Sequence, residues 1–420
     1  MLAAGAKIAL LSPCGWGNLG DAAIVDALIA GIRRRVAGAQ LQAFTLNPVD
    51  TERRHGIAAH TCSGMPLAHY IVREPDGPSL ADRPTPRALR LAFPTRAAWR
   101  LAMRAASEWE HRRRARAWLD GLDMLVVAGG GQLDDFWGGA FGHPYAMWRW
   151  TEAAKRRGAR AVVLSVGVGS LENAVTRRLV ARTLARADYV SLRDAGSRAL
   201  LGADSPGAGA PVVPDLAYSL PMARAGRALA ERPARGALRV GVSPLAHFDP
   251  RVSPAADRAE YERHVRTTAA LVARLVADGH EVVFFATDGP DEAVIADIRA
   301  ALGPAAPPAA PTPSVAALMA LLSDLDVVVA ARLHGVLLSH VAGTPVLALS
   351  YERKVAALMT DTAQSAFCLP FVGTPAETIL ARLDELVRRR AALAAEIVDA
   401  VGGFRARVEA QYDAVFGAAP

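Results

Sequence analysis

The stretch Ala331-Arg332-Leu333-His334-Gly335 joins an arginine to a histidine directly after the apolar run Val327-Val328-Val329-Ala330. Arginine holds an anion through a planar fork of donors, and histidine exchanges a proton near neutral pH. Side chains alternate at a strand end, so Arg332 and His334 share a face and Leu333 takes the other. The competing reading makes the histidine structural. A second arginine follows another apolar strand in Ser191-Leu192-Arg193-Asp194, at the carboxyl edge where open α/β sheets bind ligands. A guanidinium there suits a carboxylate or phosphate, unless Arg193 is neutralised by Asp194 or by a surface bridge.

Two glycine loops offer backbone in place of side chains. In Gly15-Trp16-Gly17-Asn18-Leu19-Gly20-Asp21 the amides and a helix N-terminus point at whatever binds above the sheet edge, which favours negative charge or sugar hydroxyls. It lacks the Gly-Lys-Ser/Thr ending of a P-loop and the spacing of a dinucleotide fingerprint. A tight turn capped by Asp21 is the alternative. In the second loop, Gly129-Gly130-Gly131 precedes Asp134 and Asp135. Three successive glycines permit close backbone approach at an entropic cost that packing alone does not justify. The aspartates either orient and deprotonate a hydroxyl or cap the next helix. No His/Cys/Asp cluster has ligand spacing, so no metal is expected.

Positioning these residues requires strands alternating with helices. The first half reads as strand Lys7–Leu11, helix Ala22–Arg35, strand Gln40–Leu46, strand Asp123–Ala128, helix Pro144–Gly158, strand Ala161–Gly167, helix Ala174–Ala187, strand Tyr189–Leu192 and helix Ala195–Leu201. The second half reads as strand Leu238–Ser243, helix Tyr261–Asp278, strand Glu281–Ala286, helix Val315–Leu322, strand Val327–Ala330, a helix from His334 and strand Pro345–Ser350. A last helical region opens with Thr374 as N-cap, Pro375 and Glu377, and runs to Phe416 with an interruption at Gly402-Gly403. This alternation predicts an α/β chain of two Rossmann-like domains with mostly parallel sheets facing a cleft. The expected division is residues 1–222, with a basic insertion at 84–118, then 236–400, with 401–420 a C-terminal helix packing back on the first domain.

Bulk properties set the class. A chain of 420 residues, 52% hydrophobic and 21% charged, exceeds one hydrophobic core and is not a disordered sequence. The net charge of +7 rests on arginine, since lysine occurs only at 7, 155 and 354. It favours anionic partners: phosphorylated metabolites, acidic glycans or a membrane surface. No nucleic-acid module is legible, so no nucleic-acid partner is expected. Cys14, Cys62 and Cys368 are scattered and odd in number, which argues for a reducing compartment. Met1–Leu11 is too brief for a signal peptide and reads as a strand; no apolar run spans a bilayer. A cytoplasmic protein follows, one able to touch the inner membrane face through the insertion, where Arg87, Arg90, Arg96, Arg100, Arg104 and Arg112-Arg113-Arg114 stand among Phe93, Trp99, Trp109 and Trp118. An ordinary solvated helix is the alternative there.

Taken together, Gly-Asn-Leu-Gly-Asp at 17–21, Gly-Gly-Gly-Gln-Leu at 129–133, Ser-Leu-Arg-Asp at 191–194 with Ser197, Pro214-Asp215-Leu216-Ala217 and Arg-Leu-His-Gly at 332–335 resemble the polysaccharide pyruvyl transferase family over about residues 7–355. The resemblance implies a glycosyltransferase-B-like fold and transfer of the pyruvyl group of phosphoenolpyruvate onto sugar hydroxyls as a cyclic ketal, with no cofactor beyond the donor. By position it gives Arg193 and Arg332 to the phosphate and carboxylate of the donor; Leu333 and the loop residues Gly17, Asn18, Gly20 and Gly129–Gly131 complete the expected substrate site. His334 becomes the acid by the same resemblance, and the expected mechanism draws its base from Asp134, Asp135 or Asp21 on their own chemistry. One departure is the stretch Gly241-Val242-Ser243-Pro244-Leu245, where the resemblance leads to an arginine. The rivals are a nucleotide-sugar-dependent glycosyltransferase of the same fold and a non-catalytic glycan- or phosphate-binding protein.

Overall fold

The computed structural model describes residues 2–15, 17–64, 96–221, 236–253 and 255–418, with the side chains of 96–101 left aside. Trp16, the insertion residues 84–95 and the connecting residues 222–235 lie outside them. The chain forms two units. One holds residues up to Trp16, Ile24–Leu216 and Arg407–Pro420; the other holds Gly17–Ala23 and Ala217–Ala406.

In the first unit, strands β1 (Lys7–Leu11), β2 (Gln40–Thr45), β3 (Ala58–Thr61), β4 (Met124–Ala128), β5 (Arg160–Val166) and β6 (Tyr189–Leu192) form a parallel sheet of order β3-β2-β1-β4-β5-β6. Its helices are α1 (Leu19–Arg35), α2 (Pro48–His55), α3 (Arg96–Trp118), α4 (His143–Lys155), α5 (Ala174–Arg186) and α6 (Ala195–Leu201). β4 is buried at every position, as a strand covered on both faces must be. The core centres on Trp150, fully buried and stacked on Phe44 at 3.7 Å between ring centroids. The strand order reverses between β1 and β4, so the carboxyl ends of these neighbours are the natural ligand crevice.

The second unit is built on β7 (Arg239–Ser243), β8 (Glu281–Phe284), β9 (Val327–Ala330), β10 (Val346–Ser350) and β11 (Cys368–Pro370), parallel in the order β11-β10-β9-β7-β8. Its helices are α7 (Arg258–Ala277), α8 (Gly289–Leu302), α9 (Val315–Asp324), α10 (Leu333–Ala342), α11 (Arg353–Asp361) and the long α12 (Ala376–Phe416), whose residues from Arg407 count with the first unit. Here the order reverses between β7 and β9. The two glycine loops and the Arg-Leu-His stretch thus follow strands that flank such reversals.

Two expectations are corrected. α12 continues through Gly402-Gly403, because neither glycine meets anything within 4 Å while Ile397, Val401, Val408 and Tyr412 are all fully buried. Burial of that stripe outweighs the roughly 1 kcal/mol that each glycine costs a helix. Thr374 does not cap α12 with its hydroxyl, which donates instead to the Pro370 carbonyl at 2.6 Å.

Candidate functional site

In the second unit, β9 runs through buried Ala331 to Arg332, which stands extended (φ −73°, ψ 141°) at the N-cap of α10 without a side-chain capping bond. Its guanidinium forks onto Asp291: Nη2 donates to Oδ1 at 2.9 Å and Nε donates to Oδ2, while Nη1 stands 3.2 Å from Asp288 Oδ2. Asp291 is fully buried and also accepts from the Ala246 amide at 3.1 Å. Asp288 caps α8 by accepting from the Gly289 amide at 2.9 Å. Burial opposes the charge on Arg332, but Asp291 and Asp288 outweigh it and hold the guanidinium protonated above its ordinary range. Burial lifts both carboxyls above the usual carboxylate range against the pull of Arg332. The arginine expected to bind the donor with Arg193 is therefore engaged by two carboxylates, which tie the β9–α10 junction to the start of α8.

His334, half-buried just inside α10, lies with its ring on Gly20. A Cβ built on Gly20 would fall 2.6 Å from His334 Cβ and overlap the imidazole itself. The Gly-Asn-Leu-Gly-Asp loop is drawn here because the Leu19 amide donates to the Thr287 carbonyl at 2.8 Å. Its cap is Asn18, not Asp21: Asn18 Oδ1 accepts from the Gly20 and Asp21 amides at 2.9 and 3.1 Å. A cap reaches amides two and three residues ahead, whereas Asp21 is already inside the first turn, where its charge suits the helix dipole. Gly17, Asn18, Gly20 and Asp21 thus join Arg332, Leu333 and His334 in one unit.

Sequence reasoning missed several neighbours of this cluster. Ser243 Oγ and Thr287 Oγ1 are buried with no hydrogen-bond partner, and both side chains border Gly335 in the first turn of α10. His247, three residues past Pro244, sets its ring 4.9 Å from that of Tyr351. Lys354 Nζ lies 5.7 Å from the Tyr351 ring centroid and 2.7 Å from Glu352. Burial pushes His247 below its usual pKa and Tyr351 above its own. Only the Asp288-Gly289-Pro290 helix start carried a signal in one dimension, and it went unread; the rest depends on strand ends meeting.

The first unit carries a separate group. Gly129 (φ 49°) and Gly130 (φ 70°) take left-handed conformations, and a Cβ on Gly129 would fall 2.7 Å from Ile24 Cγ2. Buried Gln132 clamps the loop: its Nε2 donates to the Ala128 and Gly129 carbonyls at 2.9 and 2.6 Å, and its Oε1 lies 2.7 Å from His143 Nε2. Gly131 has open space around it. Asp134 accepts from the Phe136 amide at 2.8 Å and lies against Gly169. Asp135 accepts from the Asn173 amide at 3.0 Å, just ahead of α5. Burial would raise the Asp135 carboxyl, but that amide and neighbouring donors prevail and depress it.

Arg193 lies over Gly167, where a Cβ would come 2.7 Å from Nη2. Its Nε is 3.4 Å from Asp194, and Nη1 is 3.5 Å from Asp215, which is 2% exposed at its side chain. Asp194 also caps α6 through the Ser197 amide at 2.6 Å, and Ser197 Oγ accepts from the Val168 amide at 3.0 Å. Gly129–Gly131, Asp134 and Arg193 are thus gathered on the carboxyl ends of β4, β5 and β6. Among the described residues, no three His, Cys, Asp or Glu side chains gather as a metal site, and no helix is long and apolar enough to cross a membrane.

Fold and site define a glycosyltransferase-B-like α/β protein of two Rossmann-like units, whose glycine loops beside the first sheet reversal match neither a P-loop nor a dinucleotide fingerprint. A polysaccharide pyruvyl transferase family model matches residues 18–353, and the chain belongs to that family. Solved structures of similar fold include a putative UDP-N-acetylglucosamine 2-epimerase from Listeria monocytogenes, with TM-score 0.55, 12% identity and coverage of 97% of this chain and 94% of that one. The UDP-GlcNAc 2-epimerase from Neisseria meningitidis, bound to UDP-GlcNAc, has TM-score 0.55, 11% identity and coverage of 97% and 99%. Trehalose-6-phosphate synthase OtsA has TM-score 0.54, 12% identity and coverage of 98% of each chain. At such identities the likeness is one of fold. No curated relative matches the chain by sequence.

Proposed function

We propose that the protein transfers the pyruvyl group of phosphoenolpyruvate to hydroxyls of a cell-surface polysaccharide or its lipid-linked precursor, forming a pyruvate ketal. The observation that carries this reading, beside family membership, is the His334 ring seated on Gly20 at the start of α1, next to the uncapped start of α10. Helix N-termini favour anions, and the first-turn amides of α10, at Leu333, His334 and Gly335, have no carbonyl of their own helix to bond. They would receive the donor phosphate, with Gly17, Asn18 and Gly20 beside them. Arg332 would act by holding α10 in place through Asp291. Arg193 remains the proposed cation for the donor carboxylate, and Gly129–Gly131 would give backbone approach.

In the proposed reaction His334, or a group it positions, protonates the methylene carbon, so that a C–H bond forms and the adjacent carbon becomes oxocarbenium-like. A sugar hydroxyl adds there as Asp134, Asp135 or Asp21 takes its proton. The C–O bond to phosphate then breaks, inorganic phosphate departs, and a second hydroxyl closes the ketal as it loses its own proton. The donors that depress the Asp135 carboxyl make it a weaker base than an ordinary aspartate. No further cofactor enters the scheme. The test is phosphate release from phosphoenolpyruvate across a panel of glycan acceptors. Acceptor-dependent release is expected; turnover of nucleotide sugars with no such release would replace the reading with glycosyl transfer.

A further inference from the structure

Outside both residue groups, α3 and α4 of the first unit enclose a groove of about 300 Å³. Five guanidinium groups line it: Arg112 and Arg116 from α3, Arg149 from α4, and Arg156 and Arg157 just beyond. Two carboxylates answer them. Glu108 lies 3.3 Å from both Arg112 and Arg149, and Glu152 lies 3.8 Å from Arg156. Among the described residues, no ion pair involves Arg116 or Arg157. The groove therefore keeps a positive surplus over an apolar floor that includes Leu119 and Trp148.

The same helix carries a large exposed indole. Trp109 is 66% exposed, with Arg113 Cζ 5.8 Å from its ring centroid. Positions 109, 112, 113 and 116 recur at helical spacing, so the indole and three arginines share one face of α3. A soluble anion would use the arginines and leave the indole in water. A bilayer interface takes both, since indoles settle at headgroup depth and guanidiniums meet lipid phosphates.

We infer that the α3–α4 face binds the phosphate headgroups of an anionic lipid bilayer, with the exposed Arg112, Arg116, Arg156 and Arg157 as the electrostatic footprint and Trp109 as the inserted group. The inference does not depend on the donor or on the reaction.

The test is co-sedimentation of the full chain with vesicles of phosphatidylcholine alone or mixed with phosphatidylglycerol. Binding to the mixed vesicles only, weakening as salt rises, is expected. At about 1 kcal/mol per basic side chain near an anionic surface, Arg116→Gln with Arg157→Gln should weaken partition roughly 30-fold. Both side chains are exposed, so the fold should persist, as circular dichroism would report. Trp109→Ser should weaken vesicle binding while leaving the circular dichroism spectrum and thermal melt of the exposed helix face unchanged. Equal binding to both vesicle types, or variants that bind like the parent, would overturn the inference. So would saturable binding of inorganic diphosphate in the groove with no vesicle binding, which would assign the arginines to a soluble ligand.

Discussion

Replacing Gly20 with alanine adds one methyl group at the point where the His334 ring rests. The added Cβ would fall 2.6 Å from His334 Cβ, and ring atoms lie closer still. Carbon atoms settle about 3.5–4.0 Å apart, so His334 must retreat by about 1 Å at its Cβ and further at the imidazole. The backbone raises no objection, because Gly20 sits in the first turn of α1 and is not among the positive-φ glycines. Alanine even favours helix by up to about 1 kcal/mol, against an overpacking cost of about 1–3 kcal/mol. Stability should therefore fall by no more than about 2 kcal/mol. Activity should not: a misplacement of about 1 Å at the reacting group costs about 100-fold, or about 2.7 kcal/mol of barrier. The assay is steady-state phosphate release beside a thermal melt, with Gly402→Ala, a helical glycine in open space, as the matched control. A Gly20→Ala enzyme with parental kcat, where His334→Ala is inactive, would refute the reasoning, because the ring would not need the place it occupies.

Arg332→Ala strands the fully buried Asp291 and should destabilise the fold by about 3–5 kcal/mol in urea titration, whereas an arginine that served only a ligand would leave the midpoint unchanged. Burial depresses His111 and His143 to about 3, and His264 and His340 to about 4, from the ordinary 6.5. The unfolded chain then binds more protons below pH 6.5, so stability present above that value is lost as pH falls toward 4, by up to about 2 kcal/mol per site at pH 5. Urea midpoints at pH 7.5 and 5 should show this, and His340→Leu should flatten the slope. Gly167→Ala pushes on Arg193 Nη2 and should raise the donor KM about tenfold with little change in kcat, measured by initial rates.

Much of the architecture was legible because a buried parallel strand is a continuous apolar run; β4 and β9 stand out on that ground alone. Helix starts were read unevenly. α8 was passed over although Asp288, Pro290 and Asp291 form a capped, acidic first turn, since Asp-Gly-Pro also reads as a loop. α2 was missed likewise, with Asn47 capping one end and left-handed Gly56 the other. At the site, residue types were readable and partners were not. Nothing near Arg332 in sequence announces Asp291, because β8 and β9 bring them together only through the sheet, and nothing near Gly20 announces His334. The Asn173 amide that depresses the Asp135 carboxyl belongs to another loop and was equally out of view in one dimension.

The central claim is that His334 delivers a proton to a donor that other groups hold. It is tested most directly by measuring phosphoenolpyruvate binding at equilibrium and phosphate release in a single turnover for the parent and His334→Ala. The account predicts binding within a few-fold of the parent and release slowed at least about 100-fold. Equal losses in binding and release, or release that survives the substitution, would contradict it.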